Sequence, residues 1–509
     1  MKTQIVSVRI PAAQASGTFN ISLPTGFGVP KGFLVYAQDN FVQPNNFDST
    51  TDFPCISVGF GGSNIAGTGL TNACVWTSNE EAADPVVSRA SFGNTVSIFS
   101  TNILGTIRRQ WQLTGFAQDT ILGTYQGVGT QQTPLDAVFT VFTGDDFTCA
   151  VGQTVVPPPA NTRTVVGLTF QPDAILFSHI RPAQTTDGQL HFGTAVRVAS
   201  TGGTAVTSQV GAMWRNVDDP GNPGDSLVQT RISTDGSLTI ASTSTVRFQS
   251  MFSNGFGVTQ SSANTGHSII FLAMTAGFGR TLDPSFSAGT FQSPTGTATT
   301  SSSYYVGFKP CHVLGCFSHS STLNATNGTA ATGCEVMSFF TANGNQQKNI
   351  TGTGTITSNT ANTSVSGTGT SFLSQLGASD ALYDLDYRLV GIVSSVTSNT
   401  ALILQSNAST TVTDSTYAFL KSQQFSLSYG NVDASNAGND AMRGRVSTNA
   451  LVSFTATTPA IQAIGQIQNF TGENGFTVSY TTLTNGGRYG WFLAIRDEDF
   501  YRRRRVINT

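Results

Sequence analysis

A short signature of serine hydrolases occurs once in this chain of 509 residues, in the run Gly224-Asp225-Ser226-Leu227. The chemistry would be acyl transfer, with the Ser226 hydroxyl as the nucleophile and a histidine as its base. Hydrolases of that class carry the serine near the start of the domain and an Asp-x-x-His near its end, and this chain meets neither condition. We therefore predict no catalytic residue and expect that the protein is not an enzyme.

Four residues with metal-binding side chains lie close together in the sequence: Cys311, His312, Cys316 and His319. Tetrahedral zinc needs ligands that converge on one point. The segment has the pattern of a β-strand, in which the odd offset between Cys311 and Cys316 places the two thiols on opposite faces. The sequence therefore predicts no metal ligand and no cofactor.

Two further charge clusters each have two interpretations. Asp380, Asp384 and Asp386 lie in one predicted loop, where they could bind calcium weakly or be solvated turn residues. The run Arg502-Arg503-Arg504-Arg505 could contact phosphate groups or an acidic surface of a partner, or it could be a solvated tail.

An aspartate followed by an arginine recurs three times along the chain. Such pairs could form a threefold ligand site, or they could be buried ion pairs that tie a loop to the start of a strand, which the arginine fork suits. We expect structural ion pairs. The pairs are Asp84 with Arg89, Asp225 with Arg231, and Asp440 with Arg445.

The composition excludes several classes of protein. Charged residues make up 10% of the chain and the net charge is −3, which gives no overall attraction to nucleic acid or to an anionic membrane. No run of about 18 apolar residues could span a bilayer, whereas 35 phenylalanines indicate a buried core. The six cysteines do not recur between the repeats described next, which favours thiols made in a reducing compartment. We expect no membrane insertion and no specific binding of nucleic acid.

The chain contains three copies of one pattern, each opened by an aromatic–proline motif. The motifs are spaced by about 140 residues, a period far too long for a solenoid but long enough for a domain. Arg231 and Arg445 are about 70 residues further apart than Arg89 and Arg231. The extra length indicates an insert in the third copy. The motifs are residues 26–30, 167–172 and 307–310, and a later Gly-Phe pair recurs as Gly115-Phe116, Gly255-Phe256 and Gly475-Phe476.

Nearly every segment has the pattern of a short strand bounded by turn residues. Asp235-Gly236 predicts a hairpin between the strands on either side. The prolines of residues 155–160 predict a semi-rigid linker, and one short helix is predicted at residues 371–376. The last apolar strand of each copy is predicted to be central in its sheet.

These patterns predict an all-β fold of three tandem antiparallel β-sandwich (jelly-roll-like) repeats, the third interrupted by a small β-barrel of five or six strands. The two ends of the insert must lie close together, because the host repeat resumes after it. The predicted segments are residues 1–148, 149–284 and 285–348 plus 423–498 for the three sandwiches, 349–422 for the inserted barrel, and 499–509 for a basic C-terminal tail.

The repeats resemble a domain found in predicted virion structural proteins of tailed bacteriophages and prophages. Those domains have Gly-Thr-Phe, then Val-Gly-Phe-x-Pro, and later an Asp- or Asn-Gly-Phe before a final apolar strand. This chain has Gly289-Thr290-Phe291, Val306-Gly307-Phe308-Lys309-Pro310 and Asn254-Gly255-Phe256. The insert is similar to small Gly-Thr-Gly-Thr modules of phage structural proteins, here Gly352-Thr353-Gly354-Thr355.

The resemblance implies a non-enzymatic structural component of a tailed-phage virion, made in the host cytoplasm, with other capsid or tail proteins as partners. We expect a capsid decoration protein that stabilises the particle, since the sequence lacks the coiled-coil or β-helical shaft of a receptor fibre. Three similar domains could fill a threefold environment alone, or the chain could form a homo-oligomer such as a trimer.

The alternative is a tail or baseplate protein that binds a host receptor or a surface glycan. Sugars stack on exposed aromatic rings, whereas tryptophans in apolar strands are more simply explained as core residues. The four candidates are Trp76, Trp111, Trp214 and Trp491.

Overall fold

The computed structural model describes most of the chain. The described residues are 1–10, 16–23, 26–39, 48–49, 55–78, 87–93, 98–101, 107–127, 135–158, 161–180, 187–197, 206–217, 227–234, 238–240, 244–260, 268–276, 285–297, 300–325, 334–343, 350–376, 380–386, 388–404, 406–420, 423–432, 441–447, 449–455, 460–468, 470, 474–484 and 486–496.

The first repeat folds into a sandwich of two antiparallel sheets. Its strands are β1 (Lys2–Ile10), β2 (Gly17–Thr18), β3 (Ile21–Ser22), β4 (Gly32–Asp39), β5 (Asp48–Ser49), β6 (Cys55–Ser63), β7 (Leu70–Ser78), β8 (Val87–Gly93), β9 (Ile98–Thr101), β10 (Ile107–Ala117), β11 (Thr120–Gly127) and β12 (Leu135–Thr143). The large sheet has the order β1-β12-β4-β6-β7-β8. The small sheet has the order β2-β11-β10-β9, with β3 also paired to β11.

The second repeat forms the same two sheets. Its strands are β13 (Thr148–Val155), β14 (Thr162–Val166), β15 (Ala174–Ile180), β16 (Asp187–Arg197), β17 (Val206–Val217), β18 (Leu227–Ser233), β19 (Leu238–Ile240), β20 (Ser244–Phe252), β21 (Gly255–Gln260) and β22 (Ser268–Thr275). The large sheet has the order β13-β22-β15-β16-β17-β18, and the small sheet has the order β14-β21-β20-β19.

The third repeat is interrupted between its fourth and fifth strands. The strands before the insert are β23 (Phe286–Gln292), β24 (Ser301–Tyr305), β25 (Pro310–Ser318) and β26 (Cys334–Asn343). A six-stranded unit follows: β27 (Ile350–Ser358), β28 (Ser364–Thr368), the helix α1 (Phe372–Gln375), β29 (Ala381–Asp384), β30 (Leu389–Ser398), β31 (Ala401–Leu404) and β32 (Val412–Leu420).

The repeat then resumes with β33 (Gln423–Val432), β34 (Ala441–Ser447), β35 (Leu451–Thr455), β36 (Ala460–Gln468), β37 (Gly475–Leu483) and β38 (Tyr489–Arg496). Its large sheet has the order β23-β38-β25-β26-β33-β34, with β5 of the first repeat added at the edge. Its small sheet has the order β24-β37-β36-β35.

The order of strands is the same in all three repeats, and the predicted all-β class is confirmed. In each large sheet four successive strands of the sheet form a meander, as β15, β16, β17 and β18 do in the second repeat. The last strand of each repeat returns between the first strand and this meander. The prediction that the last apolar strand is central is therefore confirmed for β12, β22 and β38.

Two local predictions are wrong because neighbouring strands belong to different sheets. β18 and β19 flank Asp235-Gly236, yet β18 pairs with β17 in the large sheet and β19 pairs with β20 in the small one. The Asp-Gly signal therefore marks a passage between sheets, and not a hairpin. The proline-rich residues 156–158 likewise connect β13 to β14 inside the second sandwich and do not link two sandwiches.

The insert is a closed barrel with the strand order β27-β28-β31-β30-β29-β32, as predicted for five or six strands. Its first and last strands pair, with Ile350 opposite Phe419, so the two ends of the insert are adjacent, as expected. The predicted short helix is α1. Glycine is required at Gly354, where φ is +80° and an added Cβ would lie 2.3 Å from the carbonyl oxygen of Thr368.

The chain divides into two compact units, Met1–Thr341 with Phe425–Thr509, and Ala342–Gln424. The barrel makes up the second unit, and all three sandwiches belong to the first. The predicted end points of the individual sandwiches and of the basic tail stay predictions.

Both faces of each large sheet are buried. In β12, Ala137, Phe139 and Val141 face the interior of the first sandwich, whereas Val138 and Phe142 face a second core. β22 alternates in the same way between the interior of its own sandwich and this second core. Because side chains alternate along a strand, each large sheet contributes one face to its own sandwich. The other face contributes to a core that all three repeats share, which we call the shared core.

Candidate interaction surface

Three aromatic rings, one from each repeat, meet in the shared core. The ring of Tyr36 in β4 stacks on Phe339 of β26, with 5.1 Å between centroids, and lies edge-on to Phe192 of β16 at 5.6 Å. The centroids of Phe192 and Phe339 are 5.8 Å apart. Rings at these separations attract each other beyond the effect of burial alone. Each repeat therefore contacts both of the others.

A hydrogen-bonded chain of polar groups joins the first repeat to the third. The Thr341 hydroxyl lies 2.8 Å from the Thr140 hydroxyl and 2.8 Å from Nε2 of His312. All three residues are fully buried. Burial lowers the pKa of His312 from 6.5 to about 3, because the imidazolium would lose its hydration. His312 is therefore neutral at pH 7 and holds the contact between repeats.

The outer edge of the third large sheet is covered by a segment of the first repeat. The short strand β5 pairs antiparallel with β34, with Ser49 opposite Arg443 and Asp48 opposite Gly444. β5 lies between β4 and β6 in sequence. The connection between β4 and β6 of the first repeat therefore reaches the third repeat.

The corresponding connection of the third repeat reaches the second. Leu323, which follows β25, forms a parallel bridge with Ile232 of β18. The side-chain oxygen of Asn324 accepts a hydrogen bond from the backbone N–H of Thr234 at 2.7 Å. Within the described residues, equivalent connections of the first and third repeats thus each join an edge of another repeat's large sheet, and this fixes the repeats against one another.

The aromatic–proline turn of each repeat is held by a later hairpin turn. In the first repeat the Asp119 carboxylate accepts the backbone N–H groups of Gly26 at 2.8 Å and Gly28 at 2.7 Å. These hydrogen bonds lower the pKa of Asp119 below its usual value. Asp119 has a φ of +52°, a conformation that aspartate tolerates better than most residues.

The other two repeats use a backbone carbonyl for the same contact. The carbonyl oxygen of Asn254 accepts the N–H of Leu168 at 3.1 Å, and that of Asn474 accepts the N–H of Val306 at 2.8 Å. In both, the asparagine precedes the Gly-Phe pair that opens β21 or β37. In the second and third repeats, the residue before the Gly-Phe pair therefore holds the aromatic–proline turn.

The Gly-Phe pair of the first copy is not the structural counterpart of the other two. Gly115-Phe116 lies in β10, whereas β11 is the strand equivalent to β21 and β37. Thr120 begins β11 and takes the place of Gly255 and Gly475. Each motif buries its proline and one apolar side chain: Phe27 and Pro30, Leu168 and Pro172, and Phe308 and Pro310.

The arginines of the predicted ion pairs occupy matching places. Each is on the last strand of its meander, and Arg231, which is buried, lies opposite Met213 of the neighbouring strand. Arg89 and Arg445 have the same position on β8 and β34. Their partners Asp84, Asp225 and Asp440 lie outside the described residues, so the three ion pairs stay predictions.

Cys311 and Cys316 both face the shared core, so the prediction that they point to opposite faces is wrong. The pairing of β25 with β38 has an irregularity between Pro310 and His312, which shifts the alternation at Cys311. Nε2 of His319 lies 2.6 Å from the hydroxyl of Ser453. Among the described residues, no group of three or more His, Cys, Asp and Glu could hold a metal ion.

The prediction of free, buried thiols is confirmed for four of the six cysteines. Cys74, Cys149, Cys311 and Cys316 are buried and form no disulfide. Burial raises the pKa of Cys149 to about 12, so this thiol is protonated at neutral pH and packs as a small apolar group.

Two of the barrel's aspartates, Asp384 and Asp386, form ion pairs with Arg388. The Asp384 carboxylate is buried and accepts the backbone N–H of Arg388 and its Nε, each at 2.8 Å. Asp386, which is exposed, lies 3.3 Å from the same guanidinium. Asp380 is also buried. The interpretation as solvated turn residues is therefore wrong for Asp380 and Asp384, and the turn at Asp384 is held by its ion pair with Arg388.

The tryptophans are core residues. Trp76, Trp111, Trp214 and Trp491 are all buried, and Trp111 donates its indole N–H to the carbonyl of Phe19 at 2.8 Å. The interpretation as core is confirmed, and none of these four rings can stack on a sugar.

Two other candidates cannot be placed. Gly224, Asp225 and Ser226 of the hydrolase signature and Arg502, Arg503, Arg504 and Arg505 of the basic run lie outside the described residues.

The residues that join the repeats were not predicted from the sequence. The available signal was the continuous apolar character of the last strands. In β22, residues 269–274 are all apolar, whereas a strand with one face towards solvent would alternate apolar and polar residues. Such a run predicts a second covered face without saying what covers it.

No protein-family profile, curated protein or solved structure matches this chain. In the part of the chain that the structure describes, no helix is long and apolar enough to cross a membrane.

Proposed function

We propose that this protein is a non-enzymatic structural component of a tailed-phage virion, and that it acts as a capsid decoration protein that stabilises the particle. The observation that carries the proposal is the packing of Tyr36, Phe192 and Phe339, one from each repeat, around one core. Three equivalent sandwiches held in this way suit a position where a shell has threefold symmetry.

A single chain meets this requirement without forming a trimer. Each sandwich takes the place of one subunit of a trimer in contacting the shell. The shared core fixes the relative positions of the three sandwiches. We therefore propose one copy for each threefold position, with other virion proteins as partners and the virion as the location after synthesis in the host cytoplasm. The buried thiols are consistent with synthesis in a reducing compartment.

The alternative role, receptor or glycan binding in the tail or baseplate, has less support. Its candidate stacking platforms were the four tryptophans, and all of them are buried.

The experiment is a reconstruction of the intact particle, followed by mild removal of this protein and a heat-release assay. We expect density for one chain at each local threefold position of the capsid, and release of the genome at a lower temperature after its removal. Density confined to the tail, or a stripped capsid that is as heat-resistant as the intact one, would contradict the proposed role.

A further inference from the structure

The three small sheets each have an edge strand at the same place. β14 is the edge strand in the second repeat and β24 in the third, and β2 with β3 takes this place in the first. An edge strand presents backbone N–H and C=O groups to which another chain can pair, and proteins usually protect such edges with a charge, a proline, a bulge or a very short strand. The three equivalent edges can therefore be compared within one chain.

Two of the three edges are protected. In the first repeat the edge is broken into two strands of two residues each, and between them the carbonyl of Phe19 accepts the indole N–H of Trp111 at 2.8 Å. In the second repeat Arg163 alternates with the buried Val165 along β14, so the arginine lies on the inward-facing side of the strand. A strand added to β14 would have to bury this charge.

The edge of the third repeat has none of these protections. β24 pairs with β37 over its whole length without a shift of register. Its sequence, Ser-Ser-Ser-Tyr-Tyr, contains no charged residue and no proline. Ser302 lies opposite Val478 and takes the place of Arg163, which lies opposite Val258. β24 is therefore a regular, uncharged edge at a place where the other two repeats are protected.

The backbone groups of alternate residues in β24 point away from β37. The N–H of Tyr480 donates to the carbonyl of Thr300 at 3.0 Å, and the N–H of Val306 donates to the carbonyl of Asn474 at 2.8 Å. Because bonded and non-bonded pairs alternate in an antiparallel ladder, the even-numbered residues of β24 bond to β37 and the odd-numbered residues present their N–H and C=O groups outwards. The residues that present these groups are Ser301, Ser303 and Tyr305, all exposed. Within the described residues, no other strand pairs with this edge.

We propose that β24 is a strand-addition site, to which an extended segment of a neighbouring virion protein pairs and continues the small sheet of the third repeat. The inference rests on the proposed function and deepens it, because it names a contact through which the chain joins its neighbour. The partner must be an extended polypeptide, since the groups presented are backbone donors and acceptors. It must be uncharged beside Tyr304, because this ring packs in the sandwich, with its centroid 5.5 Å from that of Phe476.

The chain already uses strand addition between its own repeats. β5 of the first repeat pairs with β34 at the edge of the third large sheet, and Leu323 of the third repeat bridges to Ile232 of β18. In both contacts, the connection between two strands of one repeat pairs with the edge of another repeat. β24 offers the same kind of edge to a segment from outside the chain.

A segment of a shell protein fits this edge better than a second copy of the chain does. Two β24 strands paired with each other would bury much less than the roughly 1,200 Å² of a stable interface. A segment of a shell protein would be held beside the edge by the other contacts between the chain and the shell, so that it pairs at a high effective concentration.

The test adds wild type and variants of the full chain back to particles from which this protein has been removed. Ser303→Pro removes an outward N–H without removing a bond to β37, and Ser302→Arg introduces the charge that β14 carries at this place. Ser303→Ala, which keeps the N–H, is the control for the side chain. Thr164→Pro, at the equivalent position of β14, is the control for proline in an edge strand. The melting temperature of every variant is measured, to confirm that it is folded.

We expect Ser303→Pro and Ser302→Arg to rebind at least about tenfold more weakly than wild type. Ser303→Ala and Thr164→Pro should rebind like wild type, because the contact is made by the backbone of β24.

Hydrogen exchange at single residues gives a second measurement. In wild type, exchange at the outward amides of Ser301, Ser303 and Tyr305 should become slower on the particle. The amides of Ser302 and Tyr304 bond to β37 and should be protected before binding.

Rebinding of both edge variants within about threefold of wild type, or unchanged exchange at the three outward amides, would overturn the strand-addition site but leave the decoration role intact. A wild-type dimer in solution that Ser303→Pro dissociates would identify a second copy as the occupant and overturn the assignment to a neighbouring protein. Failure of wild type to rebind at all would overturn the decoration role, and the proposed partner with it.

Discussion

The Thr140 hydroxyl in the last strand of the first repeat lies 2.8 Å from the Thr341 hydroxyl in the third repeat. Thr341 also bonds His312, so one hydroxyl serves two partners in a buried contact. We expect Thr341→Val to lower the free energy of unfolding of the first compact unit by about 1–3 kcal/mol, because two buried polar groups lose a partner. Urea denaturation followed by tryptophan fluorescence measures this loss.

The matched control is Thr477→Val, which removes a hydroxyl that bonds Ser303 at the protein surface. Its effect should stay within about 0.5 kcal/mol, as for most surface substitutions. An equal loss from both variants would mean that the buried hydroxyl chain does not hold the repeats together.

The same contact makes stability depend on pH. His312 has a pKa of about 3 in the folded protein, because burial disfavours its charge, and a pKa of about 6.5 when unfolded. Between these values the unfolded state binds the proton and the folded state does not. Stability should therefore be fully present above pH 6.5 and decrease by about 1.4 kcal/mol for each pH unit below it, down to pH 3.

Unfolding free energies of wild type and His312→Gln, measured from pH 7 to pH 4, isolate this contribution from that of the other histidines. Glutamine keeps an amide that can bond Thr341 but does not titrate. The difference in unfolding free energy between the two proteins should change steadily as pH falls. A difference that stays constant across the range would show that His312 does not cause the acid sensitivity.

Asp119, in the turn between β10 and β11, couples this turn to the aromatic–proline turn of the first sandwich. Asp119→Ala removes the acceptor for the N–H groups of Gly26 and Gly28 and places alanine at a positive φ. We expect faster hydrogen exchange at both amides and a lower melting temperature, whereas Asp119→Asn, which tolerates this φ and keeps one acceptor, should lie between alanine and wild type.

The pKa of Asp119 is lowered by these hydrogen bonds, so its contribution is present above the ordinary pKa of an aspartate and is lost as pH falls through the folded value. Protection of the two amides should therefore decrease in acid in wild type. Equal exchange rates in Asp119→Ala and wild type at neutral pH would contradict the coupling.

How far the sequence predicts this molecule depends on the range of the interactions. The strands, the barrel and the buried tryptophans follow from local alternation and turn residues. The prediction that Cys311 and Cys316 face opposite sides of β25 was wrong, because an irregular pairing with β38 shifts the register at Cys311. The hairpin predicted from Asp235-Gly236 was wrong because turn residues specify a change of chain direction but do not specify which sheet contains the next strand.

The shared core could not be predicted from the sequence, for a different reason. Tyr36, Phe192 and Phe339 are far apart in the chain, and each sits in a strand whose apolar pattern is already explained by its own sandwich. Only an unbroken apolar run, as in residues 269–274 of β22, indicated that a second apolar surface must be covered.

The barrel should be removable without loss of the sandwiches. β26 and β33 flank it and are neighbours in the third large sheet, and the barrel residues 342–424 form a compact unit with their own core. A variant in which residues 344–422 are replaced by Asn-Gly, which favours a tight hairpin, should keep the main calorimetric transition of wild type within a few degrees. A second transition, that of the barrel, should disappear. Loss of both transitions would mean that the sandwiches need the barrel in order to fold.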